Sequence, residues 1–249
     1  MRGINLLLAS ACFLAPVMAQ TKLRIILLVP LGDSITEITC WRTILWDHLT
    51  TAGVADKIQF VGTMTDNTQA CIGTSTWDHH HEGHSGYLAI DVASTYLEGW
   101  LAAARPDVVM FMLGTNDVAN GHNTSEILAA YTTMVQQMRA SNPKMQIIID
   151  LIIPLPLRSV EVMNLNAAIP AWAQSQNSTT SPIFIADCFT GFPASDLRDG
   201  VHPNDGGDQI IASRLYPIVL PIINQSMTSN SKGLVGNLLG GLLSLLGLS

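Results

Sequence analysis

Four short stretches carry residue types suited to acyl transfer. Gly32-Asp33-Ser34-Ile35-Thr36 puts a serine where a sharp turn enters a helical pattern. A serine hydroxyl at a helix start sits among amides without intrahelical acceptors, where developing negative charge is favoured. Serine is also an ordinary helix cap. Asp199-Gly200-Val201-His202-Pro203-Asn204 sets an acid three residues before a histidine. The acid can bond one ring nitrogen and leave the other to take a proton from a serine hydroxyl, although the same letters also spell a surface turn. In Gly114-Thr115-Asn116-Asp117, the Asn116 amide can aim an N–H at an anion, or Asn116 can serve a tight loop. In Gly83-His84-Ser85-Gly86-Tyr87, Gly86 can bring a backbone N–H close to a ligand at no steric cost. Ser85 is the rival nucleophile; it ranks below Ser34 because no strand is read directly before it. The pattern Gly-x-Ser-x-Gly is absent here, which disfavours an α/β-hydrolase nucleophile elbow.

These residues need elements to position them. Apolar runs at 23–31, 58–61, 108–113, 145–153 and 183–186 read as strands. Helical patterns cover 35–49, 87–103, 125–140 (capped by Asn123 or Thr124), 160–174 and 207–223, the last bent or ended near Pro217 and Pro221. Near-continuous apolar strands alternating with helices predict an α/β protein with a buried parallel sheet. Such sheets bind ligands beyond the carboxyl ends of their strands, here after Leu31, Val61, Leu113 and Asp187.

The chain has 249 residues, net charge −7, 48% hydrophobic and 12% charged residues. This fits one globular domain and excludes a disordered chain. The acidic balance argues against nucleic-acid binding, which needs a basic face. Residues 1–19 read as a secretory signal peptide with a small-residue exit at Val17-Met18-Ala19. Residues 20–225 are the expected domain. Residues 226–249 are a polar spacer and an apolar Gly/Leu-rich tail, read as a poorly ordered end, a self- or surface-associating segment, or a lipid-anchor signal; only the last would tether the chain to a membrane. Secretion makes the cysteines remaining after residue 19 disulfide candidates. Three pairings of Cys40, Cys71 and Cys188 are open, with Cys40–Cys71 preferred because both flank the expected site. Sequons at Asn123, Asn177 and Asn224 are glycosylation candidates. Trp41, Trp77 and His84, with the neighbouring His79, His80 and His81, form either a sugar-facing rim or a loop packed on itself. Adjacent histidines seldom converge on one ion, so no transition-metal site is expected from them.

The sequence resembles the SGNH (GDS-type) hydrolase superfamily, whose four signature letters fall on Ser34, Gly86, Asn116 and His202. More narrowly, 32–37, 82–87 and 199–204 are similar to secreted fungal carbohydrate esterase family 3, whose members deacetylate xylan. The resemblance implies a flavodoxin-like, three-layer α/β/α sandwich with a five-stranded parallel sheet. It implies Ser34 as nucleophile, His202 as general base and Asp199 as orienting acid. The oxyanion hole would be the Ser34 and Gly86 N–H groups with the Asn116 side chain. No cofactor is required, though some relatives carry a structural calcium, for which Asp91 is available. The expected protein is a secreted monomeric serine esterase acting on acetylated polysaccharide. The alternatives are a lipase-like esterase acting on other small or lipid esters and a non-catalytic carbohydrate-binding protein.

Overall fold

The structure is a computed structural model that describes residues 25–65, 71, 73 and 76–245, with side chains described through Thr228. β1 (Ile26–Gly32) is the central apolar strand. On one side it pairs in parallel with β5 (Val108–Met112), which pairs with β6 (Gln146–Asp150), which pairs with β7 (Ile183–Ala186). These strands are apolar runs because helices cover both faces of the sheet.

The other edge of β1 is shared by two strands. β2 (Ile58–Phe60) pairs with its first half, Ile26 opposite Ile58, and β4 (His80–Gly83) pairs with its end, Gly32 opposite Gly83. Pro30 accounts for the split. Leu28 and Gly32 present their carbonyls to Val61 and His84 on this edge, whereas Leu27 faces Asp107 on the other. By alternation, the missing N–H of Pro30 faces the place where β2 has ended and β4 begins, so no ladder bond is lost. A short β3 (Met64–Thr65) pairs antiparallel with β4.

The sheet therefore has seven strands, not five. The five expected parallel positions are present, in the flavodoxin-like order with β1 and β5 at the switch point. Strands β3 and β4 are the additions, and the His-rich sequence of β4 carries no apolar strand signal.

Eight α-helices are found among the described residues: α1 (Ser34–Glu37), α2 (Trp41–Thr51), α3 (Ala89–Asp91), α4 (Leu97–Ala104), α5 (Thr115–Ala119), α6 (Thr124–Ser141), α7 (Ser159–Gln176) and α8 (Asp205–Leu245). α2 packs on α8, and α6 packs on α4 and α7. The single helix expected over 35–49 is two, because the chain turns at Thr39–Cys40 and the Cys40 N–H is taken by Asp208 Oδ2 at 3.0 Å. The helix expected over 87–103 starts at Ala89 and contains a π-helical turn, Val92–Tyr96. Asn123, not Thr124, caps α6 through a reciprocal box with Glu126. α8 runs through Pro217 and Pro221, at neither of which it ends. Burial of Ile211, Leu215, Val219, Ile222 and Ile223 on one side outweighs the lost helical bonds.

Among the described residues, no helix is long and apolar enough to cross a membrane. The expected signal segment, and the side chains of the expected tail beyond Thr228, lie outside the described residues.

Candidate active site

Ser34 stands at the first position of α1, directly beyond β1. The preceding Asp33 caps the helix, its Oδ1 accepting the Ile35 N–H at 2.9 Å. The Ser34 amide is thus the first of its helix and has no acceptor within it. Arg42, fully buried, closes the other end: its guanidinium donates to the Thr36 and Glu37 carbonyls at 2.8 and 3.3 Å. This cationic clamp on last-turn carbonyls stabilises a helix of only four residues.

The loop before α8 delivers the histidine. Ser34 Oγ and His202 Nε2 are 2.9 Å apart, and His202 Nδ1 lies 2.7 Å from Asp199 Oδ2. The other Asp199 oxygen accepts the Val201 and His202 backbone N–H groups at 3.0 and 2.8 Å. Burial pushes the Asp199 carboxyl up, but the His202 and Val201 bonds outweigh it and bring it down to about 2. It therefore stays ionised and fixes the imidazole. Ser34 is half-buried, and 48% of the Asp199 side chain is exposed, so the chain of groups lies at an open surface.

The Gly86 turn is fastened around Ser34. The His84 N–H donates to the Gly32 carbonyl at 3.0 Å, and the Ser85 N–H donates to Glu37 Oε2 at 2.6 Å. These anchors are the ends of the segment that carries Ser34. The approach is close because Gly83 has no side chain; a Cβ there would stand 2.6 Å from the Glu37 nitrogen. Gly86 has φ of +82°, the left-handed region that glycine enters freely, and the turn closes with the Tyr87 N–H on the His84 carbonyl.

Asn116 is the second residue of α5, beyond β5. Its Nδ2 donates to the Tyr87 carbonyl at 3.0 Å and to Asp33 Oδ2 at 3.3 Å. One amide thus bridges the residue after Gly86 and the residue before Ser34. Burial pushes the Asp33 carboxyl up to about 7, against the lowering effect of the Ile35 N–H and with the Asp117 charge adding to the rise.

Sequence reasoning gave no role to Asp117 or Arg42, and weighed Glu82 only as a metal ligand beside Asp78, His79 and His81. Asp117 is fully buried and accepts the Ala89 and Ile90 N–H groups at 2.8 and 3.2 Å, fixing the start of α3 directly after the Gly86 turn. Glu82 accepts from Thr63 through both backbone and hydroxyl and contacts His84 Nε2 at 2.6 Å. Asp117 and Glu82 lie inside the stretches 114–117 and 82–87, and that position was the only available signal.

Three expectations are corrected. Trp41 is 2% exposed, with its indole N–H on the Ile35 carbonyl, and Trp77 is buried between His79 and the Arg42 guanidinium. Both are loop and core packing and offer no face to a sugar. His84 is half-buried, pinned by Glu82 and stacked on Trp100, so it is a support rather than a first contact. Ser85 does follow a strand, β4, yet the hydroxyl joined to His202 is that of Ser34.

Cys40 and Cys71 form a disulfide, and Cys188 is free and buried. Asn123, Asn177 and Asn224 are exposed. Among the described residues, no group of three or more His, Cys, Asp or Glu side chains is placed to hold a metal ion, and Asp91 is exposed. A cavity of about 630 Å³ lies away from the site, lined by residues that include Arg105, Asn142 and Lys144 but none of Ser34, Asp199 and His202.

The profile of the GDSL-like Lipase/Acylhydrolase family matches residues 31–210. An acetyl esterase mutant solved with an acetate ion is 44% identical, with a TM-score of 0.79, covering 81% of this chain and 99% of that one. A carbohydrate esterase family 3 protein from Talaromyces cellulolyticus gives the same identity, TM-score and coverage. A family 3 carbohydrate esterase from Clostridium thermocellum is 26% identical with a TM-score of 0.70, covering 81% of this chain and 98% of that one. A multidomain esterase of Ruminococcus flavefaciens is 29% identical over an alignment of 151 residues that covers 53% of this chain and 19% of that protein. The chain thus spans less than a fifth of the length of that curated relative.

Proposed function

Since the chain belongs to the GDSL-like lipase/acylhydrolase family, we propose that it is a serine esterase that removes acetyl groups from acetylated polysaccharide, with xylan as the substrate. The observation that carries this reading is the continuous hydrogen-bonded chain Ser34 Oγ–His202–Asp199. The choice of acetyl ester rests on the similarity to acetyl and carbohydrate esterases, and the open position of Ser34 suits a polymer.

Ser34 Oγ attacks the acetyl carbonyl while His202 Nε2 takes its proton. Asp199, still ionised, holds Nδ1–H and stabilises the imidazolium. The carbonyl oxygen becomes an oxyanion received by the Ser34 and Gly86 N–H groups and the Asn116 amide. Both hydrogens of that amide already have acceptors, so the longer bond, to Asp33, is the one exchanged for the oxyanion. His202 returns its proton to the departing sugar oxygen, leaving acetyl-Ser34. Water, deprotonated by His202, then releases acetate and restores the serine hydroxyl. Every proton is carried by His202, so the cycle needs no cofactor.

The protein is further read as secreted. The Cys40–Cys71 disulfide suits an oxidising compartment, and the exposure of Asn123, Asn177 and Asn224 suits glycosylation.

Acetate release from acetylated xylan by wild type and Ser34→Ala tests the assignment. Turnover is expected to vanish in the variant, and a slowly deacylating ester is expected to label Ser34 in mass spectrometry. A label on Ser85, or hydrolysis confined to long-chain esters, overturns it.

A further inference from the structure

We propose that Tyr87, Tyr96 and Trp100 form a stacking platform beside the esterase site that holds a sugar ring of the polysaccharide next to the acetylated unit. This rests on the acetyl-polysaccharide reading above and names the surface that recognises the polymer.

The platform begins at the site itself. Tyr87 follows Gly86, one Cα step of about 3.8 Å along the chain. Its carbonyl takes the Asn116 amide, so its backbone is fixed by the group proposed to receive the oxyanion. Tyr87 is thus the aromatic residue joined by its backbone both to Gly86 and to Asn116.

The rings are ordered against one another. Tyr96 and Trp100 lie four residues apart and nearly parallel, with centroids 5.5 Å apart and planes 12° apart. Tyr87 lies 5.0 Å from Tyr96 and 6.1 Å from Trp100. His84 stacks on Trp100 at 4.4 Å and 6° and on Tyr87 at 4.9 Å and 24°, and buried Glu82 holds its Nε2 at 2.6 Å. The cluster is thus fixed by an acid at His84, while Tyr96 is 37% exposed.

The backbone under Tyr96 is unusual as well. Val92–Tyr96 is a π-helical turn between α3 and α4, a rare geometry that recurs at functional sites. It ends on Tyr96, the most open of these rings.

Pyranose rings have an apolar face of C–H groups and a rim of hydroxyls. Pre-ordered aromatic rings with phenol hydroxyls at their edges match both, and little side-chain freedom is lost on binding. An acyl chain or a second copy of this protein would use the apolar area but not the phenol rim.

The test uses the full chain with xylohexaose, acetylated xylan and 4-nitrophenyl acetate as probes. Xylohexaose binding to Ser34→Ala is expected to weaken about fivefold when Tyr96→Ala is added, and by a smaller factor with Tyr96→Phe, which keeps the ring face and loses only the hydroxyl. In the active protein, Tyr96→Ala is expected to lower the ratio of turnover on acetylated xylan to that on 4-nitrophenyl acetate by a similar factor. Thermal melting checks that the variant folds; a misfolded Tyr96→Ala is replaced by Tyr96→Leu, which keeps bulk without an aromatic face. Unchanged xylohexaose affinity together with an unchanged ratio overturns the platform. So does a selective loss on long-chain esters, which assigns the rings to an acyl chain. Absence of turnover on either ester in wild type defeats the esterase reading instead, while the xylohexaose titration still decides the platform.

Discussion

Asn116 Nδ2 lies 3.0 Å from the Tyr87 carbonyl and 3.3 Å from Asp33 Oδ2, so one side-chain amide joins the turn that carries Gly86 to the turn that carries Ser34. These turns follow β4 and β1, and Asn116 itself follows β5, so three strand ends meet in one amide group.

Replacing Asn116 by alanine removes a proposed oxyanion donor and leaves the strands in place. Turnover on 4-nitrophenyl acetate is expected to drop by roughly a hundredfold or more, because one preorganised donor is typically worth about 3–4 kcal/mol of barrier. Asn116 is half-buried rather than part of the core, so the melting temperature is expected to move little. Undiminished turnover in the folded variant removes Asn116 from the site.

Asp117 acts one step away from the chemistry. Its two oxygens hold the Ala89 and Ile90 N–H groups, and with them the exit of the Gly86 turn. Asp117→Ala leaves the buried Ala89 N–H unsatisfied, at roughly 1–3 kcal/mol, and frees the part-buried Ile90 N–H as well. A lower melting temperature is expected together with a lower kcat, and Asp117→Asn, which keeps one oxygen acceptor, is expected to recover part of both. A fall in melting temperature with kcat intact would limit Asp117 to holding α3.

Asp199→Asn tests the orientation of His202. An amide cannot replace a carboxylate that accepts Nδ1–H and two backbone N–H groups together. Loss of kcat by between about 10² and 10⁴ is expected, towards the lower end because this carboxyl is half exposed and water can partly take its place. With Asp199 held down to about 2, its charge persists through mildly acid solution. Titration of Asp199 is therefore expected to leave no inflection in kcat/KM of the wild type above about pH 3. An acid limb that disappears in Asp199→Asn would contradict this.

The local parts of the site were legible because each is written in one short segment. A glycine, an acid and a serine after an apolar run determine where Ser34 lies, and the three-residue spacing of Asp199 and His202 places both on one turn. The parallel order of β1, β5, β6 and β7 followed from their apolar runs. What was not legible depends on partners far away in sequence. Asp117 bonds residues 28 and 27 positions before it, and nothing local marks it as a cap for α3. β4 reads His80-His81-Glu82-Gly83, a polar run with no apolar strand signal, and the Thr63 partner of Glu82 lies 19 residues away. For Trp41 and Trp77 the choice between a rim and a self-packed loop stayed open, because an aromatic residue in a polar stretch does not reveal which way its ring faces. Tyr96 and Trp100, proposed above as a platform, lie on α4 and its π-helical entry, where the pattern read as an ordinary helix.

Buried acids give the fold a pH dependence of definite sign. Burial pushes Asp33 up to about 7 and Asp208 up to about 6, and it raises Asp117 and Asp150 as well. In each case the folded state holds the proton more tightly than the unfolded chain, where an aspartate titrates near 4. The stabilising contributions of Asp33 and Asp208 are complete below about pH 4 and are lost as the pH rises towards 7, and those of Asp117 and Asp150 have the same sign. Asp199 works in the opposite direction, but its contribution disappears only as the pH falls from about 4 towards 2, outside that window. The melting temperature of wild type is therefore expected to fall between about pH 4 and pH 7. Asp33→Asn keeps an oxygen for the Ile35 N–H and has no proton to lose, so its decline over the same window is expected to be shallower. Melting curves of the two proteins at matched ionic strength decide the matter. Parallel declines would mean that Asp33 is ionised in the folded protein throughout, and that its contact with Asn116 is that of a full carboxylate.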